Sequence, residues 1–328
     1  MILTVVSFTV SCYNALAGDT DKAIKILSIG NSFSVDALEQ HFYDLAHAEG
    51  IDVIVGNMYI GGCTLQKNLD NALNDKPAYT YRKIGLDGKL VVTKKVSLAQ
   101  ALADESWDYI SFQQQSGQSG IYVTWAESLP DLLTYVKARV PAKAKMMIHQ
   151  TWAYEQDSAR LNQMMGYADQ ADMFCDIKQS YGQAFAEETL DGIIPSGAVF
   201  QALLRKGIEK VHRDTFHASF GVGRYALGVT WLRALTGKAA AEVSYEVPGA
   251  TAEEMAKAKK WADAICEAYG CKMFDVLTGF KFIGEVIKNH EACGNYSYLF
   301  GFEESNGYLA GTYANARSDC YTRTNGRT

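Results

Sequence analysis

The chain has 328 residues, 48% of them hydrophobic and 21% charged, the proportions of a folded protein and enough for one large domain or two modest ones. A formal charge of −6 with no basic run excludes a nucleic-acid surface, and no apolar stretch beyond the first twenty residues approaches the roughly 20 needed to span a bilayer. Seven scattered cysteines, without CxxC or HExxH spacing, exclude a disulfide framework and give a zinc site no support.

Residues 2–17 are small and apolar and close on Ala15-Leu16-Ala17, which predicts an export signal over 1–17 and a secreted or periplasmic location. The basic residue usual at the start of such a signal is missing, and Leu3-Thr4-Val5-Val6 also has the composition of a buried strand. Lys25-Ile26-Leu27-Ser28-Ile29, stopped by Gly30-Asn31, predicts a buried parallel strand. A helix is expected over 35–48, with Leu38, Phe42 and Leu45 on one face, Ser34 as N-cap, Asp36 in the first turn and Gly50 as the stop. Further strands are expected at 52–55, 109–112 and 146–148, and a hairpin over 79–95 around Leu86-Asp87-Gly88. Helices are expected at 98–103, 128–140, 158–190, 195–209 and 221–236. Strands alternating with helices in this way predict an α/β fold, three layers α/β/α with a parallel sheet in the middle. In such folds chemistry gathers at the carboxyl ends of the strands, here the loops after Ile29, Val55, Phe112 and Ile148.

Four short segments in or near these loops carry reactive or donor groups. Gly30-Asn31-Ser32-Phe33-Ser34 places a serine at a strand end beside a helix N-terminus; taken alone, Ser32 or Ser34 would serve only as a cap. In Asp214-Thr215-Phe216-His217 the carboxylate can support the imidazole and free its other nitrogen to take a serine proton, although D-x-x-H also occurs in ordinary surface loops. Gly61-Gly62-Cys63-Thr64 lets backbone N–H groups come close to a ligand, and Gln113-Gln114-Gln115-Ser116-Gly117 offers amide donors directly after a buried strand. A hydrophilic loop explains either of the last two by itself.

Taken together, the four segments resemble the SGNH (GDSL-like) hydrolase superfamily over about residues 24–260, which implies a flavodoxin-like domain over 24–262. The resemblance implies Ser32 as nucleophile, His217 as base and Asp214 as its partner. It also implies an oxyanion hole from the N–H groups of Ser32 and Gly62 and the amide of Gln113, with Gln114 as the alternative. The usual G-x-N-D block is replaced by the glutamine run, which is similar to the Q-G-E-S version of some carbohydrate acetylesterases. The implied reaction is two-step hydrolysis of carboxylic esters, with acetylated or feruloylated plant polysaccharides as substrates and no metal or cofactor. His149, Trp152 and Tyr154 follow the 146–148 strand and are candidates to stack on a sugar, or else pack the loop. A non-catalytic carbohydrate-binding protein is the competing reading.

Beyond residue 262 the sequence changes character. Thr278-Gly279-Phe280-Lys281-Phe282 and Gly301-Phe302-Glu303-Glu304-Ser305-Asn306-Gly307-Tyr308 resemble the α-D-phosphohexomutases, whose sugar contacts would map onto Lys281, Glu303, Glu304 and Ser305. The phosphoserine loop and the D-x-D-x-D magnesium loop of that family are absent, so phosphate transfer is not expected. The segment 263–313 therefore reads as a joined fragment followed by a polar tail over 314–328. Phe280, Phe282, Ile283, Leu299 and Phe300 within it would offer a docking or homodimer contact.

Overall fold

The computed structural model describes residues 3–9, 22–277, 297–303 and 307–310, in two units: one over 15–266 and one formed by the chain ends, 1–14 and 267–328. Strand β1 (Leu3–Thr9) belongs to the second unit. The larger unit begins with β2 (Ile24–Gly30), followed by α1 (Ser32–Leu38), α2 (Phe42–Ala48), β3 (Val53–Tyr59) and α3 (Leu65–Leu73). The hairpin β4 (Tyr79–Ile84) and β5 (Leu90–Val96) leads to α4 (Leu98–Asp104) and β6 (Tyr109–Phe112). Then come α5 (Val123–Ala126), α6 (Leu129–Lys137), β7 (Lys145–His149), a π-helical turn (Arg160–Met164) and α7 (Gln170–Glu187). The unit closes with β8 (Gly192–Ile194), α8 (Ser196–Arg205), α9 (Val222–Thr236) and α10 (Ala252–Tyr269).

Seven strands form one sheet in the order β5-β4-β3-β2-β6-β7-β8. The five from β3 to β8 are parallel, and the β4–β5 hairpin adds two antiparallel strands at one edge. Near-continuous apolar runs make the parallel strands: Ile26, Leu27 and Ile29 of β2 and Ile110 and Phe112 of β6 are fully buried, as covering helices on both faces require. Helices α1, α2 and α9 pack together, as do α3 to α6, so the architecture is a three-layer α/β/α sandwich. Strand order reverses between β2 and β6, which opens a crevice at their carboxyl ends. Among the described residues no helix is long and apolar enough to cross a membrane.

The apolar spacing over 35–48 continues across a break, because the chain forms two helices there. The Glu39 carboxylate between them turns inward, 1% exposed, to accept Arg82 Nε and Asn57 Nδ2, each at 2.6 Å. The expected helix over 158–190 is likewise a π turn and then α7, and the three-residue strand β8 has no sequence signal of its own. The edge strand β5 is exposed from Leu90 to Lys95 and ends in a bulge where Lys95 has φ +58°. In Gly221-Val222-Gly223 a Cβ at Gly223 would stand 2.5 Å from Val211 O; those glycines serve close packing at the start of α9.

In the unit of the chain ends, β1 pairs antiparallel with β9 (Cys271–Leu277) and β10 (Ser297–Glu303), and β10 pairs with β11 (Gly307–Ala310). Lys281, Glu304 and Ser305, the polar tail and residues 10–17 of the expected signal lie outside the described residues; of Glu303 only its strand is described.

Candidate active site

Three loops at the carboxyl edge of the sheet converge. Strand β2 ends at Gly30, and the Asn31 side chain caps α1 by accepting from Phe33 N at 3.0 Å. Ser32 is thereby the first residue of α1, where N–H groups have no intrahelical acceptor and the helix end favours negative charge.

The second loop is closed on itself by Arg213 N donating to His217 O at 2.9 Å, inside an antiparallel bridge between His212 and Ala218. That closure brings Asp214 against His217. Asp214 Oδ1 accepts from His217 N at 2.8 Å, and Oδ2 faces His217 Nδ1 at 2.8 Å. The other ring nitrogen, Nε2, lies 2.8 Å from Ser32 Oγ, across 185 positions of sequence. Burial pushes the Asp214 carboxyl up, but the backbone and ring N–H groups of His217 outweigh it and hold the carboxyl below its ordinary value. Thr215, between the two, has φ +71°, a costly conformation for a β-branched residue. It is pinned by Glu155 N donating to Thr215 O at 2.8 Å and by its hydroxyl, 3.0 Å from Ser158 Oγ.

Two long-range ties hold this loop on α1. Asp36, 1% exposed, accepts from Arg213 Nη1 and from Arg224 Nε and Nη2 at 2.8 to 3.0 Å, and from Ala218 N at 3.1 Å. Trp152 donates its indole N–H to Phe216 O at 2.7 Å and stacks on Phe33, with ring centroids 4.1 Å apart and planes 10° from parallel. The sequence signal for Asp36 was only a helix first turn; its two arginines lie too far along the chain for any local pattern to show them.

The third loop carries Gly62, at φ +60°, with no atom within 4 Å of where a Cβ would stand. Asn31 Nδ2 fastens it beside Ser32 by donating to Cys63 O at 3.2 Å. Gly62 itself is exposed, while the next N–H, that of Cys63, donates to Ile60 O at 3.2 Å.

The glutamines belong elsewhere. Gln113 is fully buried; its Nε2 donates to Asn31 Oδ1 at 2.7 Å and its Oε1 lies 2.9 Å from His149 Nδ1. Gln114, also fully buried, accepts from Leu65 N and Gln115 N and donates to Thr124. Both side chains are struts under the site, which corrects their expected role as oxyanion donors. The three aromatic candidates for sugar contact are corrected in the same way. His149 is enclosed between Gln113 and Ser196 Oγ (3.0 Å), Trp152 is fully buried, and the Tyr154 hydroxyl is 2.9 Å from Ser116 Oγ. Burial lowers the His149 imidazole to about 3, so it is neutral; with Gln113 Oε1 as acceptor, its proton sits on Nδ1.

The arrangement can take a proton from Ser32 through His217, with the N-terminus of α1 beside the serine favouring negative charge. Among the described residues no group of three or more His, Cys, Asp or Glu side chains is arranged to hold a metal ion.

The family model for a domain of unknown function, DUF4886, matches residues 25–264. That for the phosphoglucomutase/phosphomannomutase alpha/beta/alpha domain III matches residues 233–322. A DUF4886 family protein from Bacteroides uniformis is 38% identical, with TM-score 0.72 over 74% of this chain and 94% of that one. Two other solved structures are similar at lower identity. One is assigned by its name to the SGNH hydrolases, from Slackia heliotrinireducens (24% identity, TM-score 0.48, 66% of this chain and 100% of that one). The other is an acetylxylan esterase from Geobacillus stearothermophilus (15%, 0.43, 64% and 93%). No curated protein matches the chain.

Proposed function

The chain belongs to the DUF4886 family, and from that footing and the geometry above we propose that it is a serine esterase working through an acyl-enzyme. One observation carries the reading: a single imidazole spans Ser32 Oγ and Asp214 Oδ2 with 2.8 Å on each side. Asp214 accepts the Nδ1 proton, so Nε2 is free to remove the Ser32 proton as Oγ attacks the ester carbonyl. The oxyanion meets the N–H groups of Ser32 and Gly62, and loss of one such donor costs about 3–4 kcal/mol of barrier. His217 then protonates the leaving alcohol and activates the water that releases the acid.

The substrates proposed are acetylated or feruloylated plant polysaccharides, met after export directed by residues 1–17. The sequence resemblance to carbohydrate acetylesterases supports this choice. Hydrolysis of p-nitrophenyl acetate tests the reaction. The wild-type protein should turn it over, and Ser32→Ala should lose turnover with its unfolding transition in place. Equal rates in the two proteins would remove Ser32 from the chemistry.

A further inference from the structure

We propose that Arg160 forms a carboxylate-binding subsite at the mouth of the site, selecting esters whose alcohol part is an acid. The proposal rests on the esterase reading and deepens it. Arg160 is exposed and opens the π-helical turn, and its guanidinium carbon stands 4.2 Å above the centroid of the Phe216 ring. Phe216 in turn lies 4.0 Å, centroid to centroid, from the imidazole of His217. The Arg160 backbone is fixed as well: its N–H donates to Ser158 Oγ at 3.2 Å, the same hydroxyl that pairs with Thr215. The cation is thus held at two points against the loop that carries Asp214 and His217.

Its charge is unanswered. Arg82, Arg213 and Arg224 each pair with a carboxylate, whereas no described carboxylate pairs with Arg160, and the acid of the neighbouring loop, Asp214, is engaged by His217. A guanidinium held over an aromatic ring uses none of its five N–H groups in that contact, and its planar fork can take a carboxylate through two parallel hydrogen bonds. The substrate part that must lie beside His217 is the leaving alcohol, because His217 Nε2 protonates it. A carboxylate on Arg160 therefore belongs to that alcohol. An O-acetylated uronic acid has this chemistry, as does a simpler acetylated hydroxy acid. The protein's net charge of −6 gives an acidic substrate no long-range attraction, so discrimination has to be local.

The test compares kcat/KM for an O-acetylated uronide, its neutral methyl ester and O-acetyl lactate. The wild-type protein should prefer the acetylated uronide over its methyl ester by about 10-fold or more. Arg160→Gln should bring that ratio close to one, and Arg160→Lys should restore part of it. Comparable preference for O-acetyl lactate would show that the carboxylate alone is read; preference confined to the uronide would place the sugar in the subsite too. A ratio near one in the wild-type protein, or one that survives Arg160→Gln, overturns the subsite while leaving the esterase standing. Should p-nitrophenyl acetate also go unhydrolysed, the esterase reading fails by itself. Calorimetry of the uronide with Ser32→Ala reads the subsite without turnover, and binding unchanged by Arg160→Gln would again overturn it.

Discussion

Arg213 Nη1 donates to both carboxylate oxygens of Asp36, at 3.0 and 2.8 Å, and so ties the loop that bears His217 to the helix that begins with Ser32. The two halves of the proposed proton relay come from opposite ends of the domain sequence. Their meeting depends on this buried ion cluster and on the Trp152 bridge more than on any local motif.

Removing that carboxylate should therefore be costly. Asp36→Ala leaves Arg213 and Arg224, both largely covered, without their shared counter-charge, and a loss of about 3–5 kcal/mol is expected in urea unfolding. Asp36→Asn retains an acceptor and should lose less. Stability of Asp36→Ala within 1 kcal/mol of wild type would mean that the cluster is not what holds the loop.

Gln113 offers a sharper choice. As a strut, its truncation leaves Asn31 Oδ1 and His149 Nδ1 each short of a buried partner, at about 1–3 kcal/mol apiece. Gln113→Ala should then be clearly less stable, with a modest fall in kcat. A fall of about 10²–10³ at unchanged stability is the signature of an oxyanion donor and would return Gln113 to that role.

The position of Ser32 and the D-x-x-H pair were legible because each is set by short-range chemistry: an apolar strand ended by a small turn, and an acid three residues before its imidazole. For Gln113, His149 and Trp152 the sequence leaves the role open, for the opposite reason. An amide or an aromatic ring after a strand looks the same in sequence whether it faces the opening or the core, and only the packing of α1 and the 213–218 loop over it decides. The break after Leu38 likewise has no sequence signal, since apolar spacing says nothing about an inward Glu39 held by Arg82 and Asn57.

Stability should fall in mild acid. His149 and His212 are held by burial to about 3 and about 4, against 6.5 in the unfolded chain, so between those values the unfolded state binds more protons. Stability is complete above pH 6.5 and is lost as pH falls, by about 1.4 kcal/mol per pH unit for each histidine until its folded value is reached. Urea midpoints at pH 7.5, 6 and 5 should show this slope, and His149→Gln should flatten it. A wild-type midpoint that does not move would contradict the neutral, enclosed histidines.

Asp214→Asn should keep the fold and lower kcat by as much as about 10⁴, because an amide can donate to Nδ1 and leave the proton on Nε2, facing Ser32. The N–H groups of His217 hold the Asp214 carboxyl below its ordinary value, so it is the ionised form that the substitution removes. A kcat unchanged in Asp214→Asn would remove that carboxylate from the relay.

The outermost strand β5 has a bearing on how the molecule keeps to itself. Among the described residues its outer rim of peptide groups has no strand partner, and with Leu90, Val91 and Val92 exposed it is a template onto which another chain's strand could add. The adjacent charges of Lys94 and Lys95 and the kink at their bulge interrupt that template, acting as gatekeepers against fibrous or edge-to-edge growth.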